Sequence, residues 1–136
     1  MKFPVPLEVS TVAQALRKEG FAAYLVGGCV RDLLIGRTPK DWDITTNATP
    51  EDIQRLFPDS FYENDFGTVG IKTDSADATL AVIEVTPYRT ESDYSDKRRP
   101  DKVEFGQSLE EDLARRDFTI NAIAYDESKG QLIDPY

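Results

Sequence analysis

The sequence predicts an α+β fold, a mixed β-sheet packed with helices, in one domain of 136 residues. Three observations lead to it. Short apolar runs with strand character alternate along the chain with segments of helical periodicity. A glycine pair, Gly27-Gly28, ends one such run and opens a helical segment. Two carboxylates, Asp41 and Asp43, then flank a single tryptophan at strand spacing.

The first helix is expected over residues 8–19, where Val9, Val12, Leu16 and several alanines recur at helical spacing. Ser10 and Thr11 lie near its start, and Gly20 stops it. Residues 24–26 read as a buried strand, and residues 30–35 as a short helix after the glycine pair. A strand that delivers a Gly-rich turn to a helix N-terminus offers free backbone N–H groups and a positive dipole end to an anion. A Gly-Gly turn also serves as plain punctuation between elements.

The two-residue period of a strand sends Asp41 and Asp43 to one face and Trp42 to the other. Trp42 and Ile44 argue that the tryptophan face is packed. Two like charges held together on a partly buried strand are costly unless a cation compensates. Mg²⁺ fits such a pair beside a phosphate cradle, because it takes few protein ligands and completes its shell with substrate oxygens. A solvated strand edge is the plainer reading of the same pattern.

Thr49 and Pro50 read as an N-cap and first helical residue, opening a helix to Phe57 that Pro58 ends. Residues 66–72 form the next expected strand, with Gly67 and Gly70 suggesting close backbone approach. Residues 73–78 make a turn, and 79–86 the strongest strand in the chain, interrupted by Glu84. A carboxylate inside such a run is either compensated by a partner or turned to solvent at a sheet edge. Residues 90–101 are polar, mixed in charge and aperiodic, so a mobile loop is expected there. Ser108 and Glu111 form a capping-box signature for a helix through Arg115, and residues 123–125 and 131–133 pair as a hairpin.

Composition narrows the chemistry. The chain has no histidine, which removes Ser-His-Asp and Cys-His nucleophile schemes and His-ligated zinc. Its one cysteine, Cys29, excludes an internal disulfide and suits a small apolar filler in the glycine turn. No apolar stretch approaches the span of a bilayer and the start is no signal peptide, so no membrane and a cytoplasmic location are expected. A net charge of −9 is awkward for a nucleic-acid binder, although residues 97–99 and 115–116 are basic.

Three stretches together resemble a known family. They are Leu25-Val-Gly-Gly-Cys-Val-Arg-Asp-Leu-Leu34, Lys40-Asp-Trp-Asp-Ile44 and Arg115-Arg-Asp-Phe-Thr-Ile-Asn-Ala122. In this order they look like the catalytic head of the class II tRNA nucleotidyltransferases. That group holds the CCA-adding enzymes and their poly(A) polymerase relatives, within the polymerase-β-like nucleotidyltransferase superfamily. The likeness runs from Tyr24 to Tyr136. It implies that Asp41 and Asp43 hold Mg²⁺ ions bridging a triphosphate and the 3′-hydroxyl of RNA. It also implies that Gly28 and Arg31 contact the phosphates, while Arg116, Asp117 and Asn121 serve the nucleotide and its ribose. Glu84 is the candidate for a third catalytic carboxylate, which the superfamily often carries on a neighbouring strand.

The resemblance further implies template-independent transfer of CMP and AMP from CTP and ATP to the 3′-end of tRNA. Residues 1–136 would then be the catalytic head alone, poorly active without the neck, body and tail that select bases and bind tRNA. Addition of CC only, A only or poly(A), or a nucleotide- or RNA-binding module without activity, are the alternatives. Without the resemblance, Arg115 to Asp117 would read as a surface ion-pair run, and Arg31-Asp32 as a local ion pair on the short helix.

Overall fold

The structure is a computed structural model that describes residues 3–63, 67–88, 109, 113 and 123–133. Among these residues three α-helices, α1 (Leu7–Lys18), α2 (Gly28–Leu34) and α3 (Pro50–Leu56), accompany seven strands. The strands are β1 (Ala23–Val26), β2 (Asp43–Thr46), β3 (Ser60–Tyr62), β4 (Val69–Lys72), β5 (Val82–Pro87), β6 (Ala124–Asp126) and β7 (Gln131–Ile133). They form one sheet in the order β3-β4-β5-β2-β1-β6-β7. Only the β2–β5 pair is parallel; the other described pairs are antiparallel. The expected mixed sheet with packed helices is therefore what the chain forms.

The main core lies on one face of this sheet. Val9, Val12, Ala13 and Leu16 of α1 meet Leu25, Ile44, Ile83 and Val85 from the strands, with Ile53 of α3 and Val30 of α2. Alternate residues turn to the opposite face. There Val26, Tyr88 and Ala124 form a second cluster with Leu109 and Leu113, two helical residues of the region expected to follow Ser108. The period-two pattern thus splits β1 between the clusters, Ala23 and Leu25 to one and Tyr24 and Val26 to the other.

Local chemistry explains most boundaries. Thr49 and Asp52 close a full capping box on α3, with Pro50 at the first helical position. α1 begins after Pro6 rather than at a Ser or Thr cap; Ser10 Oγ instead donates to Leu7 O within the first turn. β5 starts at Val82, three residues later than expected from the sequence. Asp77 caps a 3₁₀ turn over Ala78–Leu80 through Thr79, and this removes Thr79 and Leu80 from the strand. β3, which no sequence signal marked, pairs with β4. The segment expected as a mobile loop, 90–101, lies outside the described residues.

One ionic contact fastens α1 to the far end of the sheet. Arg17 Nη2 donates to Ala23 O at 2.6 Å and lies 2.5 Å from Glu127 Oε1 and 3.5 Å from Asp126 Oδ1. Burial pushes the Asp126 carboxyl up. Hydrogen bonds from Ser128, the Arg17 charge and the amides of the β6–β7 turn more than offset this, holding it below the usual carboxylate range. The Glu127 side chain is 4% exposed, so losing the arginine would leave a buried charge uncompensated. Arg17→Met should destabilise the chain by about 3 kcal/mol, the lower end for a broken buried pair. Adding Glu127→Leu should recover most of that loss. Urea unfolding checks both; a cost below about 1 kcal/mol for the single variant would mean an ordinary surface pair.

Candidate active site

The strand register assembles the site. Asp43 is the first residue of β2 and lies directly beside Glu84 of β5 in the parallel pair. Directly paired residues project from the same face, so their carboxyl groups emerge together. The backbone reinforces the placement, with Glu84 N donating to Trp42 O at 3.1 Å. Trp42 is 2% exposed on the packed side, while Asp41 is solvent-exposed just ahead of the strand. Glu84 is half-buried on a central strand, not at an edge.

A further carboxylate joins from a place the sequence did not mark. Glu63 follows β3, and its amide donates to Thr68 O at 2.8 Å, which extends the β3–β4 pairing by one residue. Its carboxyl is pushed up to about 7. The hydrogen bond it shares with Glu84 contributes most, followed by burial and the charges of Glu84 and Asp43. A shared proton between two carboxyls is the expected response to like charges brought together. Among the described residues no three acidic or cysteine side chains form a ready-made metal cage. Glu84 therefore stands in register with Asp43 without completing a three-carboxylate cage.

On the other side of Asp43 the glycine turn approaches. Gly27 caps α2 with φ of 78°, a conformation that side-chain-bearing residues rarely adopt, and no side chain caps this helix end. A Cβ on Gly27 would stand 3.5 Å from Asp43 Oδ2, which measures how near the turn comes to the carboxylate. Gly28, Arg31, Asp41 and Asp43 line one cleft of about 380 Å³ together with Arg37, Thr38 and Lys40. Arg37, Thr38 and Lys40 were not singled out from the sequence, although Lys40 adjoins Asp41. A second hollow of about 420 Å³, lined by Pro4, Val5, Leu33 and Trp42, is mostly apolar and holds none of the carboxylates.

Arg31 Nη2 lies 3.3 Å from Asp32 Oδ1, so the local ion pair exists and the same arginine also lines the cleft. Cys29 is buried inside the turn, its thiol pushed up to about 12, chiefly by burial, and its Sγ donates to Val26 O. That suits the apolar filler expected of it. The structure brings Gly28, Arg31, Asp41, Asp43 and Glu84 to one region of the molecule. Arg116, Asp117 and Asn121 lie outside the described residues.

Known proteins share this architecture. A family model described as the Poly A polymerase head domain matches residues 23–136. The CCA-adding enzyme of Geobacillus kaustophilus is 49% identical over 100% of this chain and 32% of its own length. That of Lactobacillus helveticus is 47% identical over 94% and 31%. The crystal structure of the Bacillus stearothermophilus CCA-adding enzyme in complex with CTP superposes with a TM-score of 0.78 and 43% identity. It covers 95% of this chain and 29% of that one. A tRNA nucleotidyltransferase complexed with a primer tRNA and an incoming ATP analog gives a TM-score of 0.67 at 32% identity, covering 92% and 34%. The chain spans about a third of the length of these relatives. With the family model covering all seven strands and the whole glycine turn, the chain belongs to the poly(A) polymerase head-domain family.

Proposed function

We propose that this chain is the catalytic head of a CCA-adding tRNA nucleotidyltransferase, passing CMP and AMP from CTP and ATP to the 3′-end of tRNA. The observation that carries the reading is the junction at Asp43. A cleft with Arg31, Arg37 and Lys40 lies on one side of it, and Glu84 stands beside it on the other. The relatives named above are CCA-adding enzymes, and one is held in complex with CTP. On this reading base selection and most of the tRNA grip would belong to parts that this chain does not span. A cytoplasmic location fits tRNA processing, and among the described residues no helix is long and apolar enough to cross a membrane.

Nucleotidyl transfer depends on positioning and charge neutralisation more than on covalent help. Gly28 and Arg31 would seat the triphosphate: glycine lets the backbone come close, and arginine offers a planar fork to phosphate oxygens. Arg37 and Lys40 add positive charge along the same cleft. Asp41 and Asp43 would hold Mg²⁺, whose chemistry here is to neutralise phosphate charge and polarise the attacking and leaving oxygens. Their hard oxygens and the crowding of Glu63 against Glu84 and Asp43 fit a site that expects a cation. Glu84 would orient the attacking side, and Arg116, Asp117 and Asn121 would contact the nucleotide and its ribose.

Calorimetric titration with CTP tests the reading. Binding should depend on Mg²⁺, weaken at least about tenfold in EDTA, and be lost in Asp43→Asn, since Mg²⁺ is bound jointly by carboxylate and phosphate. Equal binding with and without divalent metal would overturn it. In an enzyme carrying this head, Asp43→Ala should lower turnover by several orders of magnitude while the fold persists.

The crowded carboxylates also predict a pH dependence. Glu63 has a folded value of about 7 against an ordinary 4.5. Its contribution to stability is therefore full below pH 4.5 and is lost as pH rises through about 7. The chain has no histidine to obscure this window. Thermal unfolding without metal should show stability falling from pH 5 to 8, and Glu63→Gln should flatten the fall. Millimolar Mg²⁺ should shrink it as well. A wild-type profile as flat as the variant's would refute the shared proton.

A further inference from the structure

A single register row crosses all seven described strands: Ile133, Ala124, Val26, Asp43, Glu84, Gly70, Phe61. Its outer end, beyond Glu84, has no role in the site described so far. Gly70 leaves a gap in the face, and the Phe61 ring lies across it. A Cβ at Gly70 would stand 2.5 Å from Phe61 Cζ and 2.9 Å from both Cε atoms. The ring is held against bare backbone, yet Phe61 remains 36% exposed. Lys72, two residues beyond Gly70 on the same face, holds its Nζ over the ring, 5.7 Å from the centroid, where a stacking base would displace it toward that base's own phosphate.

Position relative to the carboxylates says what this patch can receive. In an in-line displacement the leaving and attacking oxygens lie on opposite sides of the transferred phosphorus. The cleft that holds Arg31, Arg37 and Lys40 and suits the triphosphate lies on the α2 side of Asp43. An attacking strand that comes from the side away from this cleft passes over β5, β4 and β3. The ring above Gly70 is two strand spacings, about 10 Å, from Asp43 along that approach. An exposed aromatic ring beside a cation, on a path of single-stranded nucleic acid, is the composition of a base-stacking platform. The surrounding carboxylates repel phosphates, which leaves stacking and Lys72 as the attractive contacts there.

Resting on the nucleotidyl-transfer reading, we infer that Phe61 and Lys72 over Gly70 form the platform for a base near the 3′-end of the acceptor RNA. The incoming nucleotide occupies the opposite side of Asp43. Phe61 supplies the stacking face, Lys72 a phosphate contact, and Gly70 the bare backbone against which the ring lies.

Amide NMR of the 136-residue chain separates the two sites. A short single-stranded RNA ending in cytidine should shift the amides of Phe61, Gly70 and Lys72. Phe61→Leu should weaken that binding about tenfold, within the range for one stacked base, and Phe61→Tyr should retain it. CTP with Mg²⁺ should shift Gly28 and Arg31 equally in all three proteins. RNA shifts located elsewhere, absent, or unchanged by Phe61→Leu would overturn the platform. So would CTP alone shifting Phe61 as strongly as RNA does, since the ring would then serve the incoming nucleotide. Loss of the CTP response in the wild-type chain would instead refute the nucleotidyl-transfer reading, and the two failures are read from different resonances.

Discussion

The parallel pairing of β2 with β5 is the constraint from which the site follows. It sets Asp43 beside Glu84 on one face and places Ile44 and Val85 in the core on the other. A slip of one residue would part the two carboxylates, turning one of them into the core and its strand's apolar residues out of it, because the side-chain period is two. Everything else is arranged around this register. β1 lies antiparallel to β2, which brings the glycine turn at its end up to Asp43. β4 and β3 extend the row outward on the other side.

Among the described residues the same row is covered at one end and carries charge at its centre. Where it is apolar, at Val26 and Ala124, Leu109, Leu113 and Tyr88 pack over it. Where it carries Asp43 and Glu84, covering it would strand charges away from water. Holding Glu63, Glu84 and Asp43 together lowers stability, visible in the raised Glu63 carboxyl. Natural proteins concentrate such costs at functional sites. The chain offsets it with the full capping box on α3, the buried Arg17 contacts and a core on which both the helices and the strands converge.

What was legible in the sequence was local. The turn from β1 into α2, the cap of α3 and the hairpin after Asp126 each depend on a few neighbouring residues; Asp41, expected on the same strand face as Asp43, lies ahead of β2 and shares its cleft instead. The centre of the sheet was less legible. Whether Glu84 sat at an edge or in the middle could not be read from its own run, because that depends on β4 and β2 lying on either side of it. Glu63 and Phe61 carried no signal at all: β3 is three residues long, Phe61 finds its place only against Gly70, and Glu63 meets Glu84 only across the sheet. The start assigned to β5 at Thr79 failed for a local reason, the Asp77 cap, that competes with strand extension. Arg116, Asp117 and Asn121 rest on motif likeness.

The central claim is that the row through Asp43 and Glu84 is a cation-and-triphosphate site fed from the glycine turn. Paramagnetic broadening by Mn²⁺ in the presence of CTP addresses it most directly, because the effect falls steeply with distance and needs no turnover. Amide signals at Gly27, Gly28, Asp41, Asp43 and Glu84 should be lost selectively at substoichiometric Mn²⁺, with α1 and the β6–β7 hairpin unaffected. Broadening spread over the acidic surface, or centred away from Asp43, would contradict it.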